Sequence, residues 1–249
     1  MKRALDVIVA VIAGIVCHTG FLTAVGLMAF GLAEGLQGGI GRIPAPWATG
    51  VNLLLAAQFP LLHSAFLTRR GSGVLRSAVP GRRGGPLTIT TFVIITSLQL
   101  AAVFVLWTPS GVVWWAPTGV GGIAAWALCV ASWLFLGKAI FDAGPQVQSG
   151  AIGWWALLRG RRPDFGPMPT RGLFRACRQP IYLGFLLVLL CAPTRSPDVL
   201  LLTLVWGPYC VLAPLRKERR FQAIHGEAFA RYRASVPYFL PHPFRVSQR

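Results

Sequence analysis

Long apolar runs alternate with short basic blocks along this chain, at a spacing that suits membrane spans better than the elements of a water-soluble core. Six runs can be drawn, at about 5–33, 48–68, 87–107, 119–141, 181–193 and 198–215, with edges good to a few residues. A helix needs about 20 apolar residues to cross a hydrocarbon core of about 30 Å. The first four runs are long enough. The fifth is too short, and only the turn APTRSPD separates it from the sixth, so the last two are expected to form a helical hairpin that barely crosses. The pattern predicts an all-α, polytopic membrane bundle of about six spans.

Composition strengthens that expectation. Of the 249 residues, 54% are hydrophobic and only 12% charged, where a water-soluble domain carries about a quarter. A net charge of +17 raises the question of nucleic acid, yet the basic residues come in blocks between apolar runs and no nucleic-acid motif accompanies them. The blocks instead orient the chain. With the N-terminus in the cytoplasm, that side collects Lys2, Arg3, Arg69, Arg70, Arg76, Arg82 and Arg83. It also collects Arg159, Arg161, Arg162, Arg171, Arg175, Arg178 and the cluster from Arg216 onward, while the other side keeps only Arg42 and Arg195. By the positive-inside rule both termini are cytoplasmic and the number of spans is even, as in a bacterial-type inner membrane. The first run is too long for a signal-peptide core and lacks a clear A-x-A cleavage site, so it reads as a retained span.

Polar residues at membrane depth are few. His18 suits an interhelical hydrogen bond, and Gln58 and His63-Ser64 lie toward the cytoplasmic end of the second run. Lys138 and Asp142, four apart, can pair on one helix face. Trp154 and Trp155, ahead of Arg159, suit an interfacial anchor. Five cysteines without paired or metal-like spacing read as apolar fillers, Cys177 included. Four scattered histidines offer no His-x-x-His pair, and neither a nucleophile elbow nor a Walker loop is present, so no metal is implied.

Two stretches stand apart. Arg171 to Gly184, RGLFRACRQPIYLG, packs three arginines, a Gln-Pro and a Tyr-x-Gly against the fifth run. Its companion, Glu218 to Pro241, ERRFQAIHGEAFARYRASVPYFLP, sets an acid just after the sixth run and continues with Phe221, Ile224, Phe229 and Tyr232 at near-helical spacing. Arginines at the mouth of a span suit a site for a polar or anionic molecule. The plainer alternative is that they sit among lipid headgroups.

RACRQPIYLGF, a helical hairpin and then KERRFQAIHGEAFARYRASVPYFLP together resemble the isoprenylcysteine carboxyl methyltransferase family. Its pattern is Arg-His-Pro-x-Tyr-x-Gly, Glu-Glu after the hairpin, and a Val-Pro-x-x-x-Pro ending. LLHSAFLTRR, LWTPSGVVWW, FDAGPQ and FGPMPTRGLFR are closer to the bacterial methanethiol S-methyltransferase and NnrU-like branch. The first apolar run and the stretch after it are expected to form an N-terminal span and external loop over 1–47, and the resemblance covers about 50–241. A methyltransferase-like membrane domain follows over 48–249, with a cytoplasmic cofactor pocket built from 142–184 and 216–241. The resemblance implies transfer of a methyl group from S-adenosylmethionine to a small thiol or a lipophilic thioether or carboxylate, with the bilayer as partner. Arg178 and Glu218 are the implied catalytic pair. Gln146, Gly172, Phe174, Arg175, Gln179, Pro180, Tyr182, Gly184 and Tyr232 join them around the cofactor, and His63 lies toward the acceptor. The chain departs from the pattern at Gln179, where the family has histidine, and at Lys217, where it has the first glutamate. It also carries RRGGPLTITT where the family has Glu-Arg-Ser-Thr-Tyr. A non-catalytic NnrU-like accessory or transport protein and an NADPH-dependent membrane reductase stay open as alternatives.

Overall fold

In a computed structural model that describes residues 2–240, every apolar run is a helix. The order is α1 (Lys2–Ala33), α2 (Trp47–Phe66), α3 (Arg69–Ser77), α4 (Gly84–Leu106) and α5 (Gly119–Ala143). Then come α6 (Pro145–Gln148), α7 (Ala151–Arg159), α8 (Pro180–Leu190), α9 (Pro197–His225) and α10 (Glu227–Ser235), with a 3₁₀ turn at Gly172–Arg175. Among the described residues there is no strand, only a bridge between Trp115 and Arg195. The family ending at Pro241, and with it the end of the 48–249 domain, lies outside the described residues.

Among the described residues, four helices are long and apolar enough to cross a membrane: α1, α4 with the turn before it, α5 and α9. The second run passes that test only as the pair α2 and α3, which bend by 89° at the break. The bend is built locally, since Thr68 Oγ1 accepts from Gly71 N at 3.0 Å and caps α3. The fifth run, α8, has 11 residues and rises about 16 Å at 1.5 Å per residue, half a bilayer core. By length and composition the described residues thus hold four or five candidate spans, with α8 as a shorter apolar helix beside them. The spans expose large apolar side chains, among them Leu54, Leu134 and Val120, which a water-soluble surface would hide and lipid covers.

The interior is a cluster in which Leu32, Trp107, Val188, Leu202 and Trp206 bring α1, α8 and α9 together with the end of α4. Helix α8 seats on α5 at Gly184, where an added Cβ would lie 3.0 Å from Leu136 Cα. Gly184→Val is expected to overpack that crossing and destabilise by about 1–3 kcal/mol. The check is a lowered thermal midpoint in detergent, and an unchanged midpoint would refute the close approach.

The long connection after α5 is structured. Helix α7 packs on α1 and α4. The paired tryptophans divide: Trp154 Nε1 donates to His18 Nε2 at 3.1 Å, while Trp155 stays exposed with the Arg159 guanidinium 4.5 Å from its ring centre. His18 is thus the interhelical partner its position suggested, and only Trp155 keeps the outward place expected of an anchor. The companion stretch also differs from expectation. It is two helices, broken at Gly226 (φ +49°): Phe221 and Ile224 belong to α9, Phe229 and Tyr232 to α10. Ile224 is exposed and Phe229 is buried.

Candidate functional site

Helix α9 outruns the sixth apolar run by ten residues, because 216–225 stays helical after the hydrophobic residues end. That extension carries Lys217, Glu218 and Phe221 beside the junction between the 3₁₀ turn and α8. Pro180 opens α8 at its first turn, where the missing N–H costs nothing, and Gln179 sits just before it.

Glu218, 8% exposed, is the hub. Arg178 reaches it with a two-pronged grip, Nε to Oε1 at 2.8 Å and Nη2 to Oε2 at 3.3 Å. Gln179 Nε2 donates to Glu218 Oε1 at 2.8 Å. The other side of the Arg178 fork, Nη1, donates to the carbonyls of Arg233 (3.0 Å) and Val236 (2.6 Å). Arg178 N donates to Pro237 O at 2.9 Å. One residue therefore fastens the α8 junction to α9, to α10 and to the segment after it. A guanidinium suits this because its planar fork serves several acceptors at once.

Two of the three departures from the family pattern meet here. Gln179 Oε1 accepts from Lys217 Nζ at 3.2 Å while its amide nitrogen serves Glu218. A cation at 217 and an amide at 179 complement each other: the amide bridges an ammonium to a carboxylate next to it in sequence. The Lys217 ammonium also lies 5.8, 5.8 and 5.3 Å from the ring centres of Phe174, Tyr182 and Phe221. Tyr232 OH donates to Phe174 O at 2.7 Å, and burial pushes its phenol pKa up. Tyr232 stays a neutral donor that ties α10 to the 3₁₀ turn. The cluster encloses about 10 Å³ of free space, room for no more than one water.

The remaining expected residues stand elsewhere. Arg175 and Arg171 are exposed, and no acid pairs with either among the described residues. Gly172 has φ +59°, and an added Cβ would meet the Asp142 carboxylate at 2.2 Å. Asp142 in turn accepts from Leu173 N at 2.8 Å and pairs with Lys138 as their spacing suggested, so this glycine lets α5 hold the 3₁₀ turn. Gly184 faces α5, and Gln146 is exposed on α6. His63 lies between Phe59 and Phe92, its ring centre 5.5 and 4.9 Å from theirs, with Nδ1 buried and unpartnered. Cys177 is buried, and burial pushes its thiol pKa up, so it does not offer a thiolate. Phe221, Phe229 and Lys217 line the cavity although the resemblance placed none of them around the cofactor. The signal for Lys217 was its departure from the family acid.

The chain is similar to curated methanethiol S-methyltransferases over most of its length. The protein of that name from Pseudomonas deceptionensis is 26% identical over 197 residues, 79% of this chain and 74% of the relative. The Mycobacterium tuberculosis protein is 27% identical over 229 residues, 88% and 92% of the two chains. Methanethiol S-methyltransferase 2 of Bradyrhizobium diazoefficiens is 29% identical over 199 residues, 78% and 73%. The likeness to that branch, first read from the ordered motifs, is found again here. No family model and no solved structure matches the chain.

Proposed function

We propose that this chain is an integral-membrane methyltransferase that moves a methyl group from S-adenosylmethionine to a small thiol, with the Arg178–Gln179–Lys217–Glu218 cluster at its donor site. The observation that carries the reading is the coincidence of that buried cluster with the motif pair shared in order with methyltransferases. The donor supplies an electrophilic methyl on a sulfonium, which an in-line thiolate can take without metal or covalent help.

The residues fit such a donor chemically. Glu218 can accept hydrogen bonds from ribose hydroxyls or an ammonium, Arg178 can meet a carboxylate, and the rings of Phe174, Tyr182 and Phe221 suit a cation. The free space does not yet fit: about 10 Å³ must widen, and Arg178 holds the walls together. Four of its five N–H donors are committed to Glu218 and to the carbonyls of Arg233 and Val236. Meeting a donor carboxylate with a two-pronged grip therefore means releasing part of that hold. Closing again around the reactants would exclude water. The basic blocks support a cytoplasmic placement of this cluster and of both termini.

The test is titration calorimetry of the detergent-purified protein with S-adenosylmethionine and S-adenosylhomocysteine, followed by headspace detection of dimethyl sulfide from methanethiol. Micromolar-range binding and donor-dependent dimethyl sulfide are expected, with inhibition by S-adenosylhomocysteine. Folded protein that binds neither compound would turn the reading toward an accessory role or, if it consumes NADPH, a reductase.

A further inference from the structure

Within the basic run Arg216-Lys217-Glu218-Arg219-Arg220, the three arginines are exposed while Lys217 and Glu218 turn inward. Glu218 inward is explained by Arg178 and Gln179. Lys217 has no direct ion pair to draw it inward: among the described residues it contacts no carboxylate, Glu218 acts on it only through Gln179 and at longer range, and its three ammonium donors find one acceptor, Gln179 Oε1. Arg220, the other cation near it on α9, is turned away to Leu67 O. A lysine side chain is long enough to follow its neighbours into water or headgroups. Instead its ammonium rests among three aromatic rings, all within the range of cation–π attraction.

Those rings come from three separate elements. Phe174 is on the 3₁₀ turn, Tyr182 on α8 and Phe221 on α9. Convergence of three elements on one cation position is a built seat, not an accident of one helix. Phe174, Phe221 and Lys217 line the same small cavity as Arg178 and Glu218, so a ligand there would place its own cation at this seat or beside it. Two like charges so close oppose each other, and more strongly in a partly dry site than in water.

We propose that Phe174, Tyr182 and Phe221 form a cation subsite that the chain fills with its own Lys217 ammonium, and that the donor's sulfonium displaces Lys217 when it binds, an inference that rests on the methyltransferase reading above. Lys217 then acts as a built-in competitor that discriminates by charge. It opposes S-adenosylmethionine, whose sulfur is cationic, and leaves S-adenosylhomocysteine, whose sulfur is neutral, nearly unaffected. The site thereby favours its product, unless acceptor binding or closure offsets the difference.

The experiment is calorimetric titration of both compounds into the full-length wild type, Lys217→Met and Lys217→Arg. Lys217→Met keeps the chain length and removes the charge, and is expected to tighten S-adenosylmethionine about tenfold while S-adenosylhomocysteine changes less than about threefold. Lys217→Arg is expected to keep the wild-type ratio. A readout on wild-type protein guards against a misfolded variant. Amine acylation mapped by mass spectrometry should label Lys217 severalfold faster with S-adenosylmethionine than without, with Lys2 and Lys138, the other two lysines of the chain, as references. S-adenosylhomocysteine should leave that rate unchanged. Binding of both compounds with an unmoved ratio in Lys217→Met, or protection of Lys217 by S-adenosylmethionine, overturns the inference alone. Binding of neither by the wild type overturns the methyltransferase reading and the inference with it.

Discussion

Arg178→Ala is expected to abolish cofactor binding and to lower dimethyl sulfide formation by more than about 100-fold, the scale of loss when reacting groups are misplaced by about an ångström. It is also expected to destabilise the protein by about 3 kcal/mol. The side chains of Arg178 and Glu218 are each 10% exposed, and removing one partner of a buried pair strands the other's charge. Glu218 would retain only Gln179 as a donor, and the carbonyls of Arg233 and Val236 would lose theirs. Arg178→Lys keeps a positive charge but not the fork, so it should recover some stability and little activity. The decisive comparison is the cycle of Arg178→Ala, Glu218→Ala and the double variant in thermal unfolding. The double variant should cost less than the sum of the singles by about 1–3 kcal/mol, because neither charge is then left alone. Strictly additive losses would show that the two residues act separately, and the account of the clamp would fall.

The spans were legible because lipid imposes a simple rule on composition, and all six drawn runs are helices. What lay beyond the apolar runs was not. Residues 216–225 carry no hydrophobic run, yet they continue α9 and bring Lys217 and Glu218 to the cluster. Arg171, Arg175 and Arg178 stand four and three apart, a spacing that would fit one helix face, but the stretch is a 3₁₀ turn and a loop. Only Arg178 enters the cluster, with its backbone fixed by Pro237 O. Gln179 and Lys217 were visible as departures from a pattern, but not as partners, since they are 38 residues apart and meet only once α8 and α9 fold back. The glycines were visible as glycines. Which neighbour each admits, Asp142 at Gly172 and Leu136 at Gly184, is a fact of packing between elements distant in sequence.

The least legible feature was at the other end of α9, and it carries the second large effect. Asp198 looks like a turn acid after Ser196-Pro197, although a capping serine, a first-turn proline and an acid together form a helix-start signal. Ser196 Oγ does accept from Val199 N at 3.1 Å. Asp198 is 4% exposed and pairs with no basic side chain among the described residues. Its carboxylate accepts instead from Trp107 Nε1 and Gln37 Nε2, both at 2.9 Å, and from the backbone and hydroxyl of Ser110. The N-terminus of α9 adds its own favourable field. One carboxylate thus joins the α1–α2 connection, the end of α4 and the start of α9. Asp198→Ala should leave the buried Trp107 Nε1 unmet, while Ser110 and Gln37 can turn to water or to Gly35 O, and should cost about 1–3 kcal/mol, the scale for one unmet buried group. Asp198→Asn presents an amide donor toward other donors, so it should recover only part of that loss. The network lies 20 residues from Glu218 along α9, about 30 Å at helical rise. Whatever fraction of either variant folds should therefore bind S-adenosylmethionine and S-adenosylhomocysteine with the wild-type ratio. Thermal unfolding in detergent, with calorimetry on the folded fraction, separates the two ends of the helix. An Asp198→Asn protein as stable as wild type would show that a neutral acceptor suffices, and that the charge on Asp198 does not organise this end of the bundle.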